Sequence, residues 1–253
     1  MRQLMFCSLL VATIALGGCG VRTVPDAATV LNVRGPVMVD VESFAGDVTI
    51  IADDRLDAAE VRVVRQSRHG SGRDTDAYHS VDDIDYRVSI DRTDRGPVLL
   101  VRTWSDNPES HLQRAHVTIR LPAVDGLLIN TQHGNVSVKN TSGPTEIHTT
   151  GGDVRFMTDH AMLDHVTIVN REGDIDYRVR GESTAAFLAE TIDGSVRYRA
   201  IEGRVRPTTH TPRRLIATLN AGRNPVELRT VEGSVRIAIV PNPTEVGRYI
   251  IDP

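Results

Sequence analysis

HGNVSV at His133–Val138, GGDVRF at Gly151–Phe156, EGDIDY at Glu172–Tyr177, DGSVRY at Asp193–Tyr198 and EGSVRI at Glu232–Ile237 are five versions of one phrase. Each is a turn of Gly plus a small polar residue, followed by an apolar-x-apolar strand. The glycines fall at 134, 152, 173, 194 and 233, in steps of 18, 21, 21 and 39 residues. The last step reads as two periods with one degraded copy between them, and a fixed period near twenty is the mark of a repeat architecture.

A second strand precedes each turn: LLINTQ (Leu127–Gln132), EIHTT (Glu146–Thr150), VTIVNR (Val166–Arg171), AFLAET (Ala186–Thr191) and VELRTV (Val226–Val231). Two short strands bent at a Gly cannot bury their own apolar face, so such units stack on their neighbours. The expected fold is therefore all-β: a single-stack β-solenoid resembling a parallel β-helix, with coils of about twenty residues. Right-handed crossover geometry is the general rule for such connections. An antiparallel meander with Gly-Asp and Gly-Asn hairpins is the rival, but hairpins give no reason for alternate strands to resemble one another. Stacking makes a register. Val136/Val138, Val154/Phe156, Ile175/Tyr177, Val196/Tyr198 and Val235/Ile237 should point inward by the two-residue period of a strand. Between them, Arg155, Asp176 and Arg197 should alternate in charge up the outer face of three consecutive coils.

The recurring phrase, the LPA segment Leu121–Ala123 and the phrase VESFAGDVTI at Val41–Ile50 resemble the bacterial candidate-adhesin domain family over about residues 33–239. The resemblance implies a β-solenoid of the cell envelope. It brings no catalytic or binding residue with it, since the family pattern contains none.

The N-terminus has its own logic. Arg2 is followed by an apolar run from Leu4 to Leu16 and then Gly17-Gly18-Cys19. This is too short to span a bilayer and has the layout of a secretory signal. Leu16-Gly17-Gly18-Cys19 also resembles the bacterial lipobox, which implies cleavage after residue 18 and lipidation of Cys19. Cys7 would leave with the signal, so Cys19 alone remains and neither a disulfide framework nor a thiolate metal site can form. With Gly20 and no acidic residue after Cys19, the resemblance implies the outer membrane where a cell has two. The expected organisation is 1–18 signal peptide, 19–32 lipidated Cys and tether, 33–122 N-terminal β region and cap, and 123–253 repeat solenoid with a C-terminal cap over Val240–Pro253. Membrane attachment through Cys19 is thus one expected partner, and a protein or glycan is the other.

Composition narrows the function. Net charge is −4 with no basic footprint, which disfavours nucleic acid. Aromatic residues are 4% of the chain and Trp104 is the only Trp; we read it as a strand-end residue packed under the neighbouring polar loop rather than as a sugar platform. Ser67–Asp83, with His69, Asp74, Asp76, His79 and Asp82, reads as a solvated loop, because its spacing matches no metal-ligand motif. Ile201–Pro225, carrying Pro207, Pro212, Pro225 and the pair Arg213-Arg214, should bulge outward or lie at an edge, because proline cannot donate to a ladder.

Chemistry, if present, should sit on the residues after the turn glycines: Asp47, Asn135, Asp153, Asp174, Ser195 and Ser234. Stacking would bring Asp153 and Asp174 about 4.8 Å apart, near enough to share a cation, as in a carbohydrate-active β-helix lyase or hydrolase. The same residues are also simply good turn formers. The expectation is accordingly no catalytic residue, no cofactor and no metal, with Asp153 and Asp174 as the weak candidates. Asn135-Val-Ser137 and Asn140-Thr-Ser142 are sequons on paper only.

Overall fold

The computed structural model describes residues 20–33, 35–94 and 96–245. The signal segment, Cys19 and the terminal Tyr249-Ile250-Ile251 lie outside the described residues.

Twenty strands follow in order. They are β1 Val21–Pro25, β2 Thr29–Leu31, β3 Val37–Ser43, β4 Val48–Ala52, β5 Ala59–Arg68, β6 Ile84–Thr93, β7 Gly96–Ser105, β8 Gln113–Leu121, β9 Val124–His133 and β10 Val136–Lys139. The remainder are β11 Ser142–Gly151, β12 Val154–Met157, β13 Val166–Glu172, β14 Ile175–Val179, β15 Ala185–Asp193, β16 Val196–Ala200, β17 Val205–Thr211, β18 Arg214–Leu219, β19 Pro225–Glu232 and β20 Val235–Ile239. One helix, α1, spans Asp74–Ser80.

Each coil places the strand before its turn in one sheet and the strand after it in the other. The two sheets therefore run side by side over a shared core. Coils β7/β8, β3/β4, β9/β10, β11/β12, β13/β14, β19/β20 and β15/β16 lie in that spatial order, and every neighbouring pair is parallel. The expected solenoid is what forms. The inward register holds as well: of the ten apolar positions after the glycines, nine are buried and only Tyr198 is half-buried. Phe156 stacks on Tyr177 at 5.4 Å between ring centroids, and Tyr177 meets Phe187 edge-on at 6.2 Å. One apolar cluster continues from Val33 to Ile239.

The turns explain the invariant Gly of the phrase. Gly134 has φ +124°, and a Cβ there would fall well inside contact distance of the Gly46 carbonyl in the adjacent coil. Only Gly lets both the backbone angle and the coil spacing hold.

Four expectations need correction. First, the coils are not stacked in sequence order at either end. After β15/β16 the chain forms β17 and β18, which run antiparallel along the β15 edge, and then returns to insert β19/β20 between β13/β14 and β15/β16. Ile201–Pro225 does lie at an edge, yet it is a capping hairpin and not a degraded coil within the stack. Second, Arg236 therefore separates Asp176 from Arg197, and the outer column reads Arg155, Asp176, Arg236, Arg197. Third, Ser67–Asp83 is no solvated loop: it completes β5, forms α1 and a 3-10 turn at Val81–Asp83, and buries Ser67, His69, Ala77, Ser80 and Val81. Val81 from the 3-10 turn and Ile84 at the start of β6 close a small second core with Val63 and Ala115. Fourth, residues 21–31 are not a free tether, since β1 and β2 both pair antiparallel with β5.

At the N-terminal end β5 and β6 run antiparallel to β8 and β7, and at the other end β18 runs antiparallel to β15 while β16 is the last strand of its sheet. Strands of reversed sense thus cover three of the four edges that the bare parallel stack would leave open. The segment after β20 runs back along the stack, with Val240 N–H donating to Val179 O at 3.0 Å.

Candidate functional site

The residues after the turn glycines come together as one continuous ladder. Asn135 N–H donates to Asp47 Oδ1 at 2.9 Å, Asp153 N–H to Asn135 Oδ1 at 2.9 Å, Asp174 N–H to Asp153 Oδ1 at 2.9 Å and Ser234 N–H to Asp174 Oδ1 at 2.8 Å. Ser195 N–H closes the run on Ser234 Oγ at 3.2 Å. Asp153 and Asp174 are thus neighbours, as expected, but each carboxylate holds the backbone of the next coil. A backbone donor meets each of the carboxylates of Asp47, Asp153 and Asp174, which lets the neighbouring acids Asp153 and Asp174 stack without a cation. Arg236 lies 3.2 Å from Asp174, and Arg155 and Arg178 flank Asp176 at 3.5 and 2.5 Å. Among the described residues no group of three or more His, Cys, Asp or Glu side chains is placed to hold a metal ion.

A second ladder runs beneath the first, on the inner side of the turn, and sequence reasoning missed it. Thr103, Ser43, Thr131, Thr149, Asn170, Thr230 and Thr191 stack in that order and are all buried. Asn170 Nδ2 donates to Gly152 O at 2.8 Å, Thr230 Oγ1 to Gly173 O at 2.9 Å and Thr191 Oγ1 to Gly233 O at 2.7 Å. The signal was present: a Ser, Thr or Asn stands three residues before the Gly at 43, 131, 149, 170, 191 and 230. Buried polar groups are kept because the turn carbonyls need donors.

The histidine and aspartate residues of the 67–83 segment do not converge. His69 Nε2 sits 3.0 Å from Ser80 Oγ, which is also 2.6 Å from Ser67 Oγ, while Asp76 is held by Arg73 at 2.6 Å. They are structural members of the cap.

Outside the ladder, one concave region of about 500 Å³ lies beside Ile90, Arg92 and Pro97, and two others carry more polar side chains. At the edge where strands leave the second sheet, a cavity of about 440 Å³ is lined by Asp53, Arg55, Lys139, Asn140, Asp159 and His160 among others. Its acids are engaged: Arg55 donates to both oxygens of Asp53 at 2.7 and 2.8 Å, and these hydrogen bonds hold the Asp53 carboxyl down at about 2. Asp159 accepts from Thr244 Oγ1 at 2.5 Å.

The other region is a groove of about 420 Å³ across the outer face of the first sheet, with Phe44, Trp104, Asn130, Gln132, His148 and Thr150 along it. Trp104 is the penultimate residue of β7 and is 41% exposed, so the polar loop that follows leaves part of its ring open. Phe44 is half-buried and packs back on the cap cluster, which fixes the floor of the groove beside the indole.

Comparison with known proteins agrees with this geometry. A solved structure described as a candidate cell adhesion protein from Clostridium sporogenes is 12% identical, with a TM-score of 0.54, and the alignment covers 85% of this chain and 100% of that one. A candidate adhesin from Bacteroides fragilis aligns over 87% of this chain and 97% of its own at 11% identity, with a TM-score of 0.32. At such identity the first likeness speaks for the fold. No curated protein matches the sequence. Residues 101–238, from the middle of β7 into β20, match the family model Toastrack DUF4097, so the region that carries most of the parallel coils and most of both polar ladders places this chain in the Toastrack DUF4097 family.

Proposed function

We propose that this chain is a lipid-anchored protein of the cell envelope whose solenoid presents a non-catalytic surface to a partner, in adhesion or as a scaffold. The observation that carries the reading is the carboxylate ladder. Asp153 and Asp174, the best acid candidates in the sequence, each accept a backbone N–H of the next coil through Oδ1, and Asp174 Oδ2 is paired with Arg236 at 3.2 Å. This supports a register-holding role for these side chains over that of a general acid or base, which must be within hydrogen-bond reach of a reacting proton. The name of the Clostridium sporogenes neighbour supports the adhesive form of the reading.

The anchor and the fold meet without slack. Gly20 is buried, its carbonyl accepts from His69 N–H at 2.7 Å, and β1 begins at the next residue. Lipidation of Cys19 would therefore stand the stack on the membrane by its N-terminal cap, with the coils projecting away.

Fractionation and protease shaving of intact cells test this, comparing the natural chain with Cys19→Ala. The expected result is a membrane-bound natural chain and a released variant. External cleavage then marks an adhesive surface, and protection marks a scaffold inside the envelope. Equal partitioning of the two overturns the anchor, and polysaccharide turnover abolished by Asp153→Asn overturns the non-catalytic reading.

A further inference from the structure

We infer that the groove at Trp104 is a binding site for a neutral oligosaccharide. The inference rests on the reading of the solenoid as a presenting surface and names the ligand class for it.

Three observations carry it. The first is the aromatic ring. Trp104 is the only Trp of the chain and is 41% exposed at the groove, with Phe44 fixed beside it. A large amphipathic ring left open to water on a rigid strand offers an apolar face for the C–H face of a pyranose, with its indole N–H as a polar handle.

The second is the polar lining. Asn130, Gln132 and Thr150 make no side-chain hydrogen bond among the described residues and stand exposed at the groove. Here amide and hydroxyl groups that both donate and accept stand unused beside an aromatic ring, which is the combination that matches vicinal hydroxyls.

The third is charge. The charged groups near the groove are Glu42, which shares Arg102 with Asp40 at 3.1 and 2.8 Å, and Glu146, which lies 2.7 Å from the His148 ring. Acids outnumber the one guanidinium, which disfavours a phosphate, a nucleic acid or an acidic peptide, so a neutral ligand fits best. Size agrees with an oligomer. The lining residues come from β7, β3, β9, β11 and β13 or the residue beyond them, and the four strand steps between them span about 19 Å at ~4.8 Å each.

The single Trp makes the test direct. The full-length protein is titrated with chitotetraose and with maltotetraose while Trp104 emission is followed, and the same titrations are repeated by calorimetry. The expected result is a saturable emission shift with at least one of the two sugars. Asn130→Ala/Gln132→Ala, which keeps the fluorophore and alters only exposed side chains, should weaken binding about tenfold, and Trp104→Ala should weaken it by at least as much in calorimetry. Unchanged thermal melting of both variants confirms that the fold is intact.

The inference is overturned if neither sugar moves the emission at millimolar concentration. It is also overturned if binding survives undiminished in both variants, or if only a sulfated dextran binds. Because these titrations never ask where the protein resides, their failure leaves the anchoring experiment untouched, and failure of the anchor leaves the titrations readable.

Discussion

Gly151 and Gly152 are adjacent and identical in type, yet the structure gives them opposite fates on substitution by Ala. Gly152 has φ +109°, and a Cβ would fall inside contact distance of the Gly134 carbonyl oxygen, 2.5 Å from its carbonyl carbon and 3.0 Å from Asn135 N. All three are backbone atoms of the preceding coil, so relief requires moving a coil. Backbone strain at such an angle costs about 1–3 kcal/mol, and forcing an extra methyl into a packed contact adds about 1–3 kcal/mol. Gly152→Ala should therefore destabilise by about 2–6 kcal/mol, a fall in Tm of roughly 10 °C for a chain of this size. Gly151 has no positive φ, and its nearest foreign atom is the His133 ring nitrogen at 3.2 Å, on a side chain free to turn. Gly151→Ala should change stability by about 0.5 kcal/mol or less. Paired calorimetric melts of the two variants decide the matter, and equal Tm values for both would refute the close-approach argument.

The ladder, the cap cavity and the stacking order each give a further test. Asp153→Asn keeps the Oδ1 acceptor for Asp174 N–H and should melt within a few degrees of the natural protein, whereas Asp153→Ala leaves that N–H without its partner and should cost about 1–2 kcal/mol in urea unfolding. Asp53 titrates near 2 when folded against an ordinary 3.8, so its contribution is full above the ordinary value and is lost as pH falls from about 4 towards 2. The Tm gap between the natural chain and Asp53→Asn should accordingly be constant at higher pH and close over that window; a gap that persists at pH 2 contradicts the assignment. Truncation after Asn224 removes β19 and β20 from the interior of the stack and should abolish the cooperative melt, while a native-like transition in the truncated chain would show that β15/β16 can close the gap.

Much of this was legible from residues alone, because the same physical demand recurs in every coil. The phrase at Gly134, Gly152, Gly173, Gly194 and Gly233 announces the turn, and the alternation after it announces the inward face. The inner ladder was equally legible in the Ser, Thr or Asn three residues earlier, once a buried donor for each turn carbonyl is sought. Stacking order was not, for the reason that repeats are alike: nothing local to EGSVRI says which coils flank it. The charges do not distinguish the arrangements either: the observed order puts Arg236 against Asp174 and beside Asp176, and a stack in chain order would put Arg197, also an arginine, in that place. Exposure of Trp104 was hidden too, because the loop after β7 packs as a 3-10 turn at Ser110–Leu112 and leaves the indole open.

The two out-of-order coils bear on the groove as much as on stability. A solenoid built strictly in sequence holds each coil by its chain neighbours, and end coils fray first. Here β3/β4 is enclosed between β7/β8 and β9/β10, and β19/β20 between β13/β14 and β15/β16, so segments distant in sequence close both ends. Glu42 and Phe44 belong to the enclosed N-terminal coil and Trp104 to the coil outside it. Ser43 Oγ and Thr103 Oγ1, 3.0 Å apart and buried, pin those two coils directly beneath the groove. Slippage of the Trp104 strand relative to Asn130 would break that contact and both parallel registers at once. The aromatic ring and the free amides are therefore held at fixed spacing before any ligand arrives, and a site that is already ordered spends little of its contact energy on becoming so.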